Sequence, residues 1–308
     1  MNTLKWICLP VLLLISAAAG ASGAAETAPD QTVNDTYPGF ATAALMHARL
    51  VDLPSGLILR CGEVRITKSD LDNRLDAFKP ELRPKVEKDQ LYMLENTVAE
   101  ALLYSEAYDW SAKSKVSKNK PTELTAAYLD SRTKDVTVAE SEIKQFYEDN
   151  KGDMGGMSFG QVREDISKVI LDNKRLEAVT AYIAALGDRY DIEVDKTWAA
   201  KQYPIAMDNP VERARKSGKP LLVDFGSVRC PPCVKLAPIL EELRKEYDGK
   251  LEMLIIDVDN ELILGARYGA VVIPTQIFYD KTGKEVFRHA GFYSKANIVT
   301  KLAEIGVK

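Results

Sequence analysis

Cys230-Pro231-Pro232-Cys233 is where this chain is best equipped for chemistry. Disulfides are attacked by thiolates rather than thiols, so one sulfur of a working pair must be exposed and acidic. A helix that begins at this motif supplies the condition for Cys230, because its first turn leaves N–H groups unpaired and carries the positive end of the macrodipole. Cys233 follows one turn later, placed to attack a mixed disulfide on Cys230 and release the product. Asp224 sits inside the apolar run Leu221-Leu222-Val223-Asp224-Phe225, the pattern of a strand buried on both faces. A carboxylic acid held there has a raised pKa and can take or return a proton near neutral pH, the service Cys233 needs. Arg229 places a positive charge beside Cys230 that lowers its pKa, whereas in Pro231-Pro232 a second proline removes an N–H donor from the helix start and opposes that shift. Two other uses of the cysteine pair stay open at the level of residues. A structural disulfide would close only a four-residue loop and stabilise little. Half of a zinc or iron–sulfur site would need a second CxxC or a Cys/His pair, and the chain supplies neither, so no metal is expected.

The elements that must carry these residues are legible around them. Asn209-Pro210 starts a helix, with Asn at the cap and Pro at the first helical position. After the strand at Leu221 and the dithiol comes an amphipathic helix from Leu236 to about Tyr247. Leu251–Val258 reads as a strand, Glu261–Tyr268 as a short helix and Thr275–Tyr279 as a strand. A turn at Lys281-Thr282-Gly283-Lys284 leads to the strand Glu285–Arg288, and Ser294–Ile305 closes as a helix. Strands alternating with helices, then a hairpin, give a mixed sheet with helices on its faces.

Over about residues 205–308 this text resembles thioredoxin. The resemblance rests on Val223-Asp224-Phe225, Cys230-x-x-Cys233, Ala237-Pro238-Ile239-Leu240, Ile256-Asp257-Val258-Asp259, Tyr268-Gly269-Ala270 leading to Ile273-Pro274-Thr275, and Gly291. It implies a thioredoxin-like fold and a redox-active Cys230–Cys233 disulfide with no other cofactor. It also implies that Pro274 is a cis-proline facing the dithiol, where the neighbouring backbone pairs with an extended substrate, and that Ile273 and Arg229 border the substrate. Arg229 stands where the family usually has Trp, and Ile255 where a lysine often accompanies the buried acid. Ile273 precedes the proline as in reducing thioredoxins.

The remaining chain has a different grammar. A lysine-bearing start, an apolar run from Trp6 to Ala19 and the small-residue stretch Ala17–Ala25 read as a secretory signal. The run is about 14 residues long where a spanning helix needs about 20. Export to an oxidising, periplasmic compartment follows, with Cys61, Cys230 and Cys233 in the mature chain and Cys61 buried. Residues 26–56 read as a leader or linker, with one short helix around Ala41–Leu50. Leu57–Ile66 reads as two strands about a Cys61-Gly62 turn. Capping boxes at Thr67/Asp70 and Thr137/Glu140 open helices, and a stripe from Val162 to Leu186 marks a long one that ends at Gly187. Thr67–Leu75, Glu140–Asn150 and Ser158–Ile166 resemble the N-terminal domain of SurA-type periplasmic chaperones. The seven residues Lys151–Met157 cannot hold the parvulin module often found at that junction. The resemblance therefore implies client binding without prolyl isomerase activity.

The expectation is an α+β, α/β two-domain protein: signal 1–25, leader 26–56, a mostly helical domain 57–196, and a thioredoxin-like domain 197–308. With 41 basic against 45 acidic residues, the charge balance excludes a general nucleic-acid binder. The function read from this is an exported thiol–disulfide oxidoreductase, reducing by preference, whose helical half recruits unfolded or extended clients. The alternative is a holding chaperone with a docking module of little redox activity. Partners are protein clients with thiols or disulfides and a membrane electron donor. Lasting membrane insertion is not expected once the signal is removed.

Overall fold

The computed structural model describes residues 31–114, 116 and 120–308; the expected signal peptide, residues 1–25, lies outside them. In chain order the helices are α1 Val33–Thr36, α2 Lys68–Asn73, α3 Arg83–Lys88, α4 Gln90–Ser114, α5 Pro121–Thr133, α6 Glu140–Asn150, α7 Phe159–Arg189, α8 Lys196–Met207, α9 Pro210–Arg215, α10 Pro231–Glu246, α11 Leu262–Arg267 and α12 Lys295–Glu304. The strands are β1 Arg49–Val51, β2 Leu57–Cys61, β3 Val64–Thr67, β4 Ile192–Asp195, β5 Leu221–Gly226, β6 Glu252–Asp257, β7 Thr275–Tyr279 and β8 Glu285–Ala290. Among the described residues no helix is long and apolar enough to cross a membrane.

The chain forms two compact units, neither continuous in sequence: residues up to Asp135 join Glu177–Met207, and Val136–Leu176 join Asp208–Lys308. The expected division fell at residue 196. In the structure, α8 groups with the first unit, and α6 with the first half of α7 groups with the second.

In the first unit, residues 31–56 do not behave as a linker. Val33, Phe40, Ala44, Leu45 and Ala48 are all buried to 2% exposure or less. The short helix expected around Ala41–Leu50 is a single tight turn at Ala43–Leu45, followed by β1. β1 pairs in parallel with β4, Arg49 opposite Glu193 and Val51 opposite Asp195, in a sheet ordered β1-β4-β2-β3. Thr67 and Asp70 cap α2 reciprocally, as their spacing required. On α4 the apolar face Leu91, Leu94, Val98 and Leu102 is buried.

Gly187 does not end α7. The helix runs through it to Arg189, and the glycine instead lets another backbone approach. A Cβ there would lie 2.3 Å from the carbonyl oxygen of Ala44.

In the second unit, α6 lays Ile143 against Val162 and Ile166 of α7, and the ion pairs Arg163–Glu140 and Lys174–Glu142 flank that seam. The cap of α6 falls two residues later than expected. Glu142 accepts from the Ala139 N–H at 2.7 Å, so the helix starts at Glu140 rather than after Thr137.

The C-terminal sheet is ordered β6-β5-β7-β8. β5 and β6 are parallel, while β7 and β8 run antiparallel. Alternation along each strand fills both faces. Leu222 and Phe278 meet Leu236, Leu240 and Leu243 of α10 and Ile298 and Leu302 of α12. Leu221, Val223, Phe225, Ile277 and Tyr279 meet Val211 of α9 and Leu264 of α11. Each fully buried aliphatic side chain contributes about 1.5–3 kcal/mol. The result is a mixed sheet with helices on both faces, compatible with a thioredoxin-like fold. Asp224 and Gln276 share the face that packs on α10.

Candidate functional site

Cys230 is the N-cap of α10, and Pro231 and Pro232 occupy its first turn, so the earliest helical N–H available to the sulfur is that of Cys233. That N–H donates to Cys230 Sγ at 3.3 Å. Pro231 suits the first position, since its ring presets the helical φ and removes an N–H that is orphaned there in any case. The two cysteines are disulfide-bonded, with Cα atoms 5.2 Å apart. Cys233 is buried on the sheet side, whereas Cys230 is half-exposed.

The loop before β7 approaches from the other side. The Ile273–Pro274 peptide bond is cis, and the Ile273 carbonyl oxygen lies 3.6 Å from Cys230 Sγ. Cys230, Cys233, Ile273 and Pro274 are thus together. Exposed Val228 and Val271 stand on the two loops that carry the dithiol and the proline.

Asp224 lies beneath, 3% exposed in the middle of β5. Burial pushes its pKa from 3.8 up to about 6, against a hydrogen bond from Gln276 that pulls it down. Its cross-strand neighbour on β6 is Ile255, at the position where the resembling family often has lysine. Gly226 occupies the ground between acid and dithiol. A Cβ there would meet Asp224 Oδ2 at 3.4 Å and Cys233 Sγ at 3.5 Å.

Arg229 is exposed, but its charge is engaged. Its guanidinium grips both carboxylate oxygens of Asp259, and the same carboxylate accepts from Ser227 Oγ. The hydrogen bonding of the guanidinium to Asp259 raises the arginine's pKa. The positive charge beside Cys230 is therefore compensated across the β6–α11 connection, which weakens the lowering effect expected from Arg229 alone.

Gln276 escaped the sequence reading. Its signal was an amide inside the otherwise closely packed run Thr275–Tyr279, but only the register of β5 against β7 sets it opposite Asp224. Cys61, at the end of β2, is free and buried, and burial with nearby Asp191 and Glu193 raises its pKa to about 11. No cluster of three or more His, Cys, Asp or Glu side chains that could hold a metal occurs among the described residues.

A sheet of this order, with a helix that begins at a cysteine pair facing a cis-proline loop, defines the thioredoxin-like class. Residues 207–306 match the thioredoxin-like domain family. The thioredoxin of Staphylococcus epidermidis is 43% identical over 81 residues, covering 26% of this chain and 77% of that protein. The thioredoxin of Staphylococcus aureus is 42% identical over the same length and shares. Through this domain the chain belongs to the thioredoxin family, and the domain is of the thiol–disulfide oxidoreductase type.

Proposed function

We propose that the protein is an exported thiol–disulfide oxidoreductase that reduces disulfides in protein clients, with the helical half recruiting extended or unfolded chains. The observation that carries this is the stacking of one half-exposed sulfur at a helix start, one buried sulfur a turn later, and a buried acid below them. In the reduced protein the Cys230 thiolate attacks a client disulfide, forms a mixed disulfide and expels one client thiolate. The Cys233 thiol gives its proton to the Asp224 carboxylate, and its thiolate attacks Cys230 Sγ. The second client thiolate leaves, taking a proton, and the pair ends as the Cys230–Cys233 disulfide. Two electrons have passed to the client, so a membrane electron donor must return two to the protein.

Several features support the reducing direction. A strongly oxidising pair needs a well-stabilised Cys230 thiolate. Here two prolines remove helix-start N–H donors, and Asp259 neutralises Arg229. The client strand would lie along the Ile273–Pro274 loop, with Arg229 at its rim, a β-addition mode in which the backbone gives affinity. Recruitment by the helical half rests on the likeness of its segments to SurA-type chaperones, and export rests on the N-terminal apolar run.

Insulin reduction by wild type, Cys230→Ser and Cys233→Ser tests the enzymatic reading, which requires loss of turnover in both variants. Variants that match wild type in turnover and in client protection would instead mark a holding chaperone. A redox titration against glutathione tests direction: a potential near about −270 mV supports reduction, and one near about −120 mV oxidation.

A further inference from the structure

β7 is buried along its whole length, and at its second position it carries an amide where packing alone would place an aliphatic side chain. Gln276 is fully buried and stands directly opposite Asp224 in the antiparallel pair. Its Nε2 donates to Asp224 Oδ1 at 2.7 Å, while its Oε1 is buried with no hydrogen-bond partner. An unpaired amide oxygen in a core is destabilising, and a leucine of similar volume would avoid that loss. The amide is therefore a poor choice for packing and an informative one for chemistry. The other carboxylate oxygen, Oδ2, faces the ground above Gly226 that Cys233 Sγ also borders.

We infer that Gln276 is the positioning residue of the proton acceptor, holding Asp224 by Oδ1 so that Oδ2 stays turned toward Cys233, and serving the acid in both charge states. To the carboxylate it donates from Nε2. Rotated half a turn about its last torsion, it offers Oε1 to the O–H of the neutral acid, a change that swaps two atoms of nearly equal size. The inference rests on the reading of Asp224 as the base for Cys233.

The setting of Asp224 is sparse in charge. Cys233 on α10 faces it, and Ile255 of β6 adds none. His289 of β8, next in the cross-strand row beyond Gln276, has its pKa lowered by burial. A hydrogen bond to the ionised carboxylate is thus the chief influence holding the acid down against burial, and removing it makes Asp224 a less available base near neutral pH.

Full-length reduced protein mixed with an aromatic disulfide such as 5,5′-dithiobis(2-nitrobenzoate) releases coloured thiolate in two steps, attack by Cys230 and then resolution by Cys233. In Gln276→Leu the acid limb of the second step is expected to move up by about one pH unit, about fivefold slower at pH 6 and about tenfold slower well below it, converging with wild type in alkali. The first step should be unchanged. In Asp224→Asn the acid limb should vanish, and adding Gln276→Leu should change nothing further. Overlay of the Gln276→Leu and wild-type profiles overturns the inference, as does a Gln276→Leu effect that survives undiminished in the Asp224→Asn background. If Asp224→Asn itself leaves the second step's pH profile intact, the base reading fails first, which is a different result. Should Gln276→Leu not fold, Gln276→Met keeps the side chain's length, and a carbon-13 carboxyl titration of Asp224 in the oxidised protein must show the same upward displacement.

Discussion

Asp224 shows how one buried side chain sets opposite demands on stability and on chemistry. Its pKa rises from 3.8 to about 6 on folding because burial disfavours the charge. The folded state therefore keeps a proton that the unfolded chain releases. Below about pH 4 both states are protonated and nothing is lost; between pH 4 and 6 ionisation favours unfolding; above pH 6 the penalty is complete, at up to roughly 3 kcal/mol. In urea unfolding of the oxidised protein, Asp224→Asn should gain stability of that order at pH 7 and almost none at pH 4. An equal gain at both values would contradict the ionisation account. Cys61 makes the complementary case. Buried, with its thiol raised to about 11, it should resist iodoacetamide in native reduced protein while Cys230 is carboxamidomethylated, a contrast that peptide mass spectrometry reads directly. Cys230, Cys233 and Asp224 could be picked out in the sequence because their types and spacing are themselves chemical statements. Gln276 could not, because its meaning lies in a partner 52 residues away. The charge of Arg229 was legible, but Asp259, which neutralises it, belongs to another element.

At the scale of elements, what the chain revealed was local and what it hid was long-range. The boxes and stripes of α2, α7 and α10 follow from spacings of three and four residues, and the alternation of β5 with α10 follows from composition. β1 is three residues long and pairs with a strand more than 140 residues further on, so Ala41–Val51 offers no periodicity from which to read it. Gly187 was misread for a related reason. A glycine after an apolar stripe is the usual signature of a helix end, yet this one marks where the backbone at Ala44 approaches the helix. Two effects then compete in Gly187→Ala. Helix propensity favours alanine by about 1 kcal/mol, whereas a Cβ 2.3 Å from the Ala44 carbonyl oxygen must displace backbone rather than a flexible side-chain tip. Overpacking of that kind costs about 1–3 kcal/mol or more, so the steric effect wins and the melting temperature should fall. A rise would show that the approach at Ala44 is not built as described.

For the molecule as a whole, the division of labour depends on whether the dithiol needs anything beyond its own sheet. Both faces of β6-β5-β7-β8 are filled by helices from residues 208–308, α10 and α12 on one side and α9 and α11 on the other. A fragment of residues 205–308 therefore has a complete core and every residue assigned to the chemistry. It should fold and reduce a small disulfide at the rate of the full chain. With an unfolded, disulfide-bonded protein as substrate, the full chain should hold the advantage, seen as a lower KM at unchanged kcat, if client capture resides, as proposed, in segments the fragment lacks. A fragment that matches the full chain on the protein substrate would remove recruitment from the function and leave the dithiol to act alone. One that fails on the small disulfide would show that residues 136–176, which group with the C-terminal sheet, are part of the working fold and not an accessory to it.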